Sequence, residues 1–435
     1  MTEPATGSAP LGGAGPDPDA DPDAPRPSLW RGRILLILGI VLLGISLRYA
    51  VTGLSPLLPV VREGLGIGVT GASIIGMLPT LMFGAGGLLA PMLARRTSTE
   101  LVAVVGMTLA TIGAVTRALA TDATLFIVLS AVSLLGMGFG NVAGAPLVKK
   151  YFPDRQAIML TTFALLMQAG ATLPAFTAVP ISNAAGWRWS LASWALISFL
   201  AIIPWAIQLF RKDSASVAAQ GGAATAQDTK GASFGIASLL RSPTAVGTAL
   251  FYATASFNTY AVLAWMPTIL GDRGLDLGAA AGVFSIYTFM TLPMALIVPL
   301  IAAKMDQPFP LAAALSVVHA IGFVGLLLAP GIPALWVTIM GLGGGAFPFA
   351  IAMFNRRTRT ESGSAAISGF AMGVGYLVGT LGPLAGGWLF SATGGWEAAM
   401  ILYAASGVLM LAGAYLMTRK KFLEDEVNTV APVTG

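Results

Sequence analysis

An all-α integral membrane protein, with twelve transmembrane helices in two pseudo-symmetric six-helix bundles, is the fold class that the sequence predicts. Three observations lead there. Of the 435 residues, 56% are apolar and only 10% are charged, and the mean hydropathy is +0.80. A soluble domain of ordinary composition carries about 25% charged residues, so a water-exposed globular surface of this size is excluded. Apolar runs of about 20 residues, each long enough to cross roughly 30 Å of hydrocarbon as a helix, follow one another along the chain. Finally, the second set of six runs repeats features of the first. A β-barrel would show short alternating segments instead.

The elements follow in order. Residues 1–28 are rich in Pro, Asp, Ala and Gly and lack the large apolar side chains of a core, which predicts a disordered tail. That tail is acidic and has no apolar run, so it does not read as a signal peptide. Six runs near 34–58, 70–94, 99–118, 123–147, 156–179 and 189–210 form a first bundle over 29–210. A polar stretch over 211–242 reads as a linker, and six more runs near 244–269, 279–303, 309–329, 332–354, 363–390 and 396–418 form a second bundle over 243–420. Residues 421–435 are a polar tail.

Lysine and arginine set the orientation. With both termini and the linker on the cytoplasmic side of the cell membrane, 19 of the 24 lie inside, Arg62, Arg117, Arg188 and Arg273 lie outside, and Arg48 falls within a helix. This is a strong positive-inside bias. It also accounts for the net charge of +5, leaving no call for nucleic acid as a partner. Membrane lipid and a small solute are the partners expected, with the chain a monomer. The absence of cysteine excludes disulfides and thiolate metal or redox sites, and no cofactor is expected.

The halves resemble each other. Tyr49-Ala50-Val51 with Pro56 recurs as Tyr260-Ala261-Val262 with Pro267, at an offset of 211. Gly136-x-Gly138-x-Gly140 recurs as Gly341-x-Gly343-x-Gly345, and Gly186-Trp187 as Gly395-Trp396, at offsets of 205 and 209. Matches in chain order at nearly one offset point to an internal duplication, the architecture of many secondary transporters. The repeats, the linker and Gly186-Trp187-Arg188-Trp189 resemble the major facilitator superfamily. Leu47-Arg48 followed by Ser55-Pro56-Leu57-Leu58-Pro59, with Ala264-Trp265-Met266-Pro267 and the segment from Gly341 to Pro348, is similar more narrowly to the cyanate transporter and 2-nitroimidazole transporter family. The resemblance implies a secondary transporter whose cavity is lined by helices 1, 4, 7 and 10 with parts of 2, 5, 8 and 11. The superfamily's loop between helices two and three departs here. Arg95 and Arg96 remain, but Pro91, Met92 and Ala94 stand where Asp, Arg and Gly are usual, so the customary cytoplasmic gate motif is incomplete here.

Arg48 is the most informative residue. It lies 15 positions after Arg33 and 14 before Arg62, near the bilayer midplane. A midplane arginine costs on the order of 2.5 to 3.5 kcal/mol on insertion scales, and guanidinium stays charged at any accessible pH. None of the 19 acidic residues falls in a helix core as a partner. The partner is then the solute, a small monoanion or a nitro compound held by the planar donor fork. Alternatively, Arg48 bonds to backbone carbonyls and polar side chains of its neighbours. Thr52 and Ser55, at i+4 and i+7, extend a polar stripe on one helix face. Asn141, Gln168, Asn258, Tyr260 and Tyr376 are further candidates, with Trp265 and Phe347 as apolar walls. Each also reads as an interhelical contact.

His319, the only histidine, offers a proton site or an ordinary packed side chain. Lys149-Lys150 and Arg356-Arg357-x-Arg359 are topology determinants, or a cytoplasmic gate with Asp154, Glu361 or Asp306. The sequence therefore reads as no enzyme. It is a secondary active transporter working by alternating access on a small anionic or nitro-bearing, cyanate-like solute, or alternatively an exporter of neutral or aromatic drug-like compounds.

Overall fold

A computed structural model describes residues 33–211 and 234–428; the first tail, most of the linker and residues 429–435 lie outside the described residues. Every regular element among the described residues is helical. We number the twelve long helices α1 (Ile34–Leu65), α2 (Val69–Arg96), α3 (Thr99–Ala118), α4 (Ala123–Tyr151), α5 (Gln156–Ala185) and α6 (Trp187–Phe210) in the first half. The second half holds α7 (Pro243–Asp272), α8 (Leu277–Lys304), α9 (Phe309–Leu328), α10 (Pro333–Arg356), α11 (Glu361–Thr393) and α12 (Glu397–Thr418). Short connections alternate their directions, so one face carries the start of α1 and the end of α12 and the other carries the α1–α2 turn. These are called the terminal face and the far face below. Local sequence starts several of the helices: Ser98, Asp122, Ser242, Asp276 and Thr360 each accept the backbone N–H three residues on, satisfying a donor that the helix cannot.

Eleven of the twelve helices are long and apolar enough to span a membrane. The exception is α7, which is 30 residues long but carries Thr244, Thr248, Thr254, Ser256 and Asn258, all buried. Its polar groups face protein, where hydropathy is a poor guide. Two short helices fall in segments read as linker and tail. Ile236–Arg241 precedes α7, and Leu423–Asn428 docks on the terminal face of the second half. There Glu426 accepts from the Thr244 N–H at 3.0 Å, and Glu424 accepts from the N–H groups of Arg359 and Thr360.

The first helix departs from the uniform run expected. It extends to Leu65 and is interrupted twice, with helical stretches Ile34–Ser46 and Tyr49–Thr52, a 3-10 turn Ser55–Leu57 and a final stretch Leu58–Leu65. Pro56 and Pro59 lack the N–H groups that would bond back along the helix, which accounts for the second break. The first break falls at Leu47-Arg48.

Glycine sets how closely the helices approach. Residues two apart point to different sides of a helix, and the three glycines of α4 use this to meet three neighbours. A Cβ at Gly136 would overlap the α3 backbone at Gly106 and Ala110, one at Gly138 would lie 2.9 Å from the Met82 carbonyl of α2, and one at Gly140 would press on Leu47 of α1. In α10 the last two of the matching glycines, Gly343 and Gly345, bound a 3-10 segment, while Gly341 stays in regular helix.

The two halves meet along antiparallel stripes of small residues on α2 and α11. Gly387 packs on Ser73, and a Cβ at Gly76 would lie 2.8 Å from both Pro383 and Ala264. One at Gly379 would lie 3.0 Å from Thr80, and one at Gly84 would lie 3.8 Å from Tyr376. One step further, Gly87, Gly373 and Gly369 have nothing within 4 Å. Ser55 Oγ donates to the Leu263 carbonyl, Thr172 Oγ1 to the Thr288 carbonyl at 3.1 Å, and Gln168 Nε2 to Thr291 Oγ1 at 2.7 Å. The α2–α11 contact therefore closes the halves toward the far face, where the α1–α2 and α7–α8 turns line a cavity of about 660 Å3 outside it, and lets them part toward the terminal face.

Two outcomes are expected. Gly136→Ala should lower the melting temperature of the solubilised protein by an amount equivalent to about 1–3 kcal/mol, whereas Gly87→Ala should leave it unchanged or slightly raised, since alanine favours the helix. The chain has no native cysteine, so Ser73→Cys with Gly387→Cys, whose Cβ atoms would lie 3.2 Å apart, should cross-link on mild oxidation. Gly87→Cys with Gly373→Cys should not, as read by electrophoretic mobility.

Candidate functional site

Arg48 stands where the two halves begin to part. Its side chain is half-buried at the first break of α1, level with the place where α2 and α11 separate. The guanidinium lies 5.2 Å from the centre of the Phe83 ring of α2, a cation–π distance. It stands beside the hydroxyl of Tyr260 on α7 and lies within electrostatic reach of Tyr376 on α11 and Tyr252 on α7. The Tyr252 ring stands edge-on to Phe347 of α10, 5.1 Å between centres. Arg48 is therefore boxed by aromatic rings and phenolic hydroxyls from three other helices, with Phe347 of α10 behind Tyr252. Among the described residues it forms no ion pair with a carboxylate. A planar donor fork, flat apolar walls and hydroxyls able to donate suit a small planar anion or nitro group.

The residues singled out in the sequence divide into two sets. Arg48, Tyr260, Tyr376 and, through Tyr252, Phe347 come together. Asn141 is half-buried on α4, with its amide nitrogen unpartnered. Gln168 faces the other half but is engaged by Thr291. Asn258 points away and donates to Ser406 on α12 at 2.8 Å. Trp265 is fully buried, with its indole N–H on the Pro383 carbonyl at 2.9 Å. His319 is buried on α9 against Gly343 of the α10 break, without an acidic neighbour.

The stripe expected from Arg48 through Thr52 to Ser55 does not form. The breaks in α1 change the register, so Thr52 Oγ1 turns back to the Arg48 carbonyl at 3.3 Å and Ser55 crosses to Leu263. Arg117 also differs from its expected place outside. It is 1% exposed in the last turn of α3, donating to the Ala50 carbonyl at 3.2 Å. Sequence reasoning missed Phe83 and Tyr252. For Tyr252 a signal existed, since it precedes Tyr260 by eight residues, the spacing of a broad helix face.

The basic clusters bond within their own halves. Lys150 pairs with Glu100 at 2.6 Å, Arg33 with Asp154 at 2.6 Å, and Arg359 with Asp425. Arg356 donates to the Ala302 carbonyl at 2.6 Å, and Arg357 to the Met417 carbonyl at 3.0 Å. Among the described residues no ion pair joins the halves, and Arg95 and Arg96 are exposed without one. Lys149 and Arg359 line a cavity of about 500 Å3 at the terminal face, between the end of α4 and the α10–α11 turn. It gives the terminal face a positive mouth.

The family model described as Major Facilitator Superfamily matches residues 36–342. An uncharacterised transporter of Bacillus subtilis (strain 168), YycB, is 30% identical over 395 residues, which are 89% of this chain and 94% of that protein. The 2-nitroimidazole transporter of Escherichia coli (strain K12) is 28% identical, covering 87% of this chain and 94% of its own. The cyanate transport protein CynX of the same organism is 25% identical, covering 82% and 91%. Among solved structures, the inward open conformation of the xylose transporter XylE from E. coli superposes with a TM-score of 0.71 at 16% identity, over 91% of this chain and 98% of that one; that likeness bears on the fold. The chain belongs to the major facilitator superfamily, and is a multi-pass membrane transporter of small solutes rather than an enzyme.

Proposed function

We propose that this superfamily member moves a small anionic or nitro-bearing solute, cyanate-like, across the cytoplasmic membrane by alternating access, with Arg48 as its anchor. The observation that carries this reading is a permanent cation where the halves begin to part, boxed by Phe83, Tyr252, Tyr260 and Tyr376 and, among the described residues, without an ion-pair carboxylate. A solute anion would supply the missing charge through bonds stronger than neutral ones. Two relatives named for 2-nitroimidazole and cyanate support the same class. Tyr260, Tyr376 and Phe347 would line the pocket, and Asn141 would offer its free amide. Thr52, Gln168 and Asn258 are spent on other partners in this state.

The terminal face carries most of the lysine and arginine, which supports its being cytoplasmic, with the binding unit a monomer in lipid. The structure would then be open to the cytoplasm, and exchange would need the α2–α11 seal to part. The aromatic box also favours a second reading, an exporter of neutral aromatic compounds in which Arg48 only donates hydrogen bonds.

With folding checked by thermal melting, Arg48→Lys should weaken solute binding about 10-fold and Arg48→Ala about 100-fold, the range for a charge-assisted bond. Undiminished affinity in both variants would remove Arg48 from the site. Uptake that is inhibited by small inorganic and organic monoanions supports the first reading, and indifference to them the second. The oxidised Ser73→Cys, Gly387→Cys protein should lose transport and regain it with reductant.

A further inference from the structure

On the far-face side of the Arg48 site, among residues of the seal, lies a separate cavity of about 30 Å3, where the interrupted stretch of α1 passes α2, α3, α4 and α7. Its polar lining is Arg117, Ser130, Ser55 and Tyr260. Arg117 is 1% exposed and Ser130 is 0% exposed. One Arg117 bond is accounted for, from Nη1 to the Ala50 carbonyl at 3.2 Å in the interrupted stretch. Arg117 Nε and Ser130 Oγ have no hydrogen-bond partner, and Arg117 forms no ion pair among the described residues. Ser55 Oγ is engaged by Leu263.

A buried guanidinium does not shed its charge, and a buried charge without a counter-charge is costly. The volume admits a water or an ion of similar size. Water would satisfy the two free donors and leave the charge uncompensated, whereas an anion does both.

We propose that this cavity is a second anion site, taking an inorganic monoanion of halide size on Arg117 and Ser130. Tyr260 lines it and also stands beside Arg48, so one phenol forms the wall between the two sites. The site itself does not depend on the solute reading of Arg48, and only its second source, below, rests on that reading. Two sources supply such an anion: halide from solution, bound as a fixed co-ion, and the transported anion itself on its way to the far face.

The test uses the purified full-length chain in halide-free gluconate buffer, titrated with bromide while thermal unfolding is followed, with anomalous scattering from bromide-soaked crystals to locate the ion. Bromide should raise the melting temperature of the wild type and of Arg48→Lys alike, with a peak beside Arg117. Ser130→Ala removes a hydroxyl that has no partner, so its bromide-free melting temperature should match the wild type. Its half-saturating bromide concentration should rise about tenfold, as should that of Arg117→Lys. A bromide response unaltered in Ser130→Ala, a peak confined to Arg48, or a cavity holding only water would each overturn the proposal. Repeating the titration with cyanate separates the sources. The same loss in Ser130→Ala identifies the transported anion as a visitor to the site, and a loss seen with bromide alone identifies a halide site.

Discussion

A guanidinium held deep in the protein without a carboxylate is the constraint around which the first half is arranged. Arg48 cannot neutralise itself, and the surrounding helices answer with π faces and hydroxyl oxygens from Phe83, Tyr252, Tyr260 and Tyr376. Those groups temper the charge without cancelling it. The helix that carries Arg48 is broken on both sides of Tyr49–Thr52, and a break frees backbone groups that hydrocarbon cannot satisfy. Arg117 meets one of them at the Ala50 carbonyl, and the Tyr49 hydroxyl is held 3.0 Å from that of Ser198. The second cation is thus bound up with the irregular backbone around the first.

The duplication is kept in helix count and lost where chemistry is concentrated. At the offset of 211, Arg48 corresponds to Thr259, a neutral hydroxyl that accepts from Tyr287 at 3.4 Å. There α7 runs unbroken for 30 residues while α1 unwinds. In α4 and α10 the asymmetry is reversed: the glycine series is regular helix in the first and passes into a 3-10 segment from Gly343 in the second. Each half therefore has one irregular helix facing the centre. Discontinuous helices of this kind are where transporters place their sites.

Motion between the halves is made cheap by what joins them. Their contact on α2 and α11 consists of glycine, serine, threonine and proline, with a few hydroxyl and amide bonds from α1 and α5. Among the described residues the charge pairs stay inside each half, as with the buried Glu100 and Lys150 or the exposed Arg359 and Asp425. Parting such a seal separates small van der Waals surfaces rather than buried ion pairs.

Much was legible in the sequence because the bilayer imposes it. Spans of about 20 apolar residues, the gathering of lysine and arginine at one face and the repeated glycines all follow from hydrocarbon thickness and close backbone approach. The same scarcity of charge marked Arg48, since a lone arginine in an apolar run stands out against its neighbours. Direction around each helix was not legible, because apolarity on every side leaves no periodic signal to say which face meets which partner. Only the tertiary structure turned Asn258 toward Ser406, brought Phe83 and Tyr252 to Arg48, and drew Arg117 from the end of its helix into the interior. Composition fixed how many helices there are and which residue is out of place in them. Packing between segments far apart in the chain decided what that residue touches.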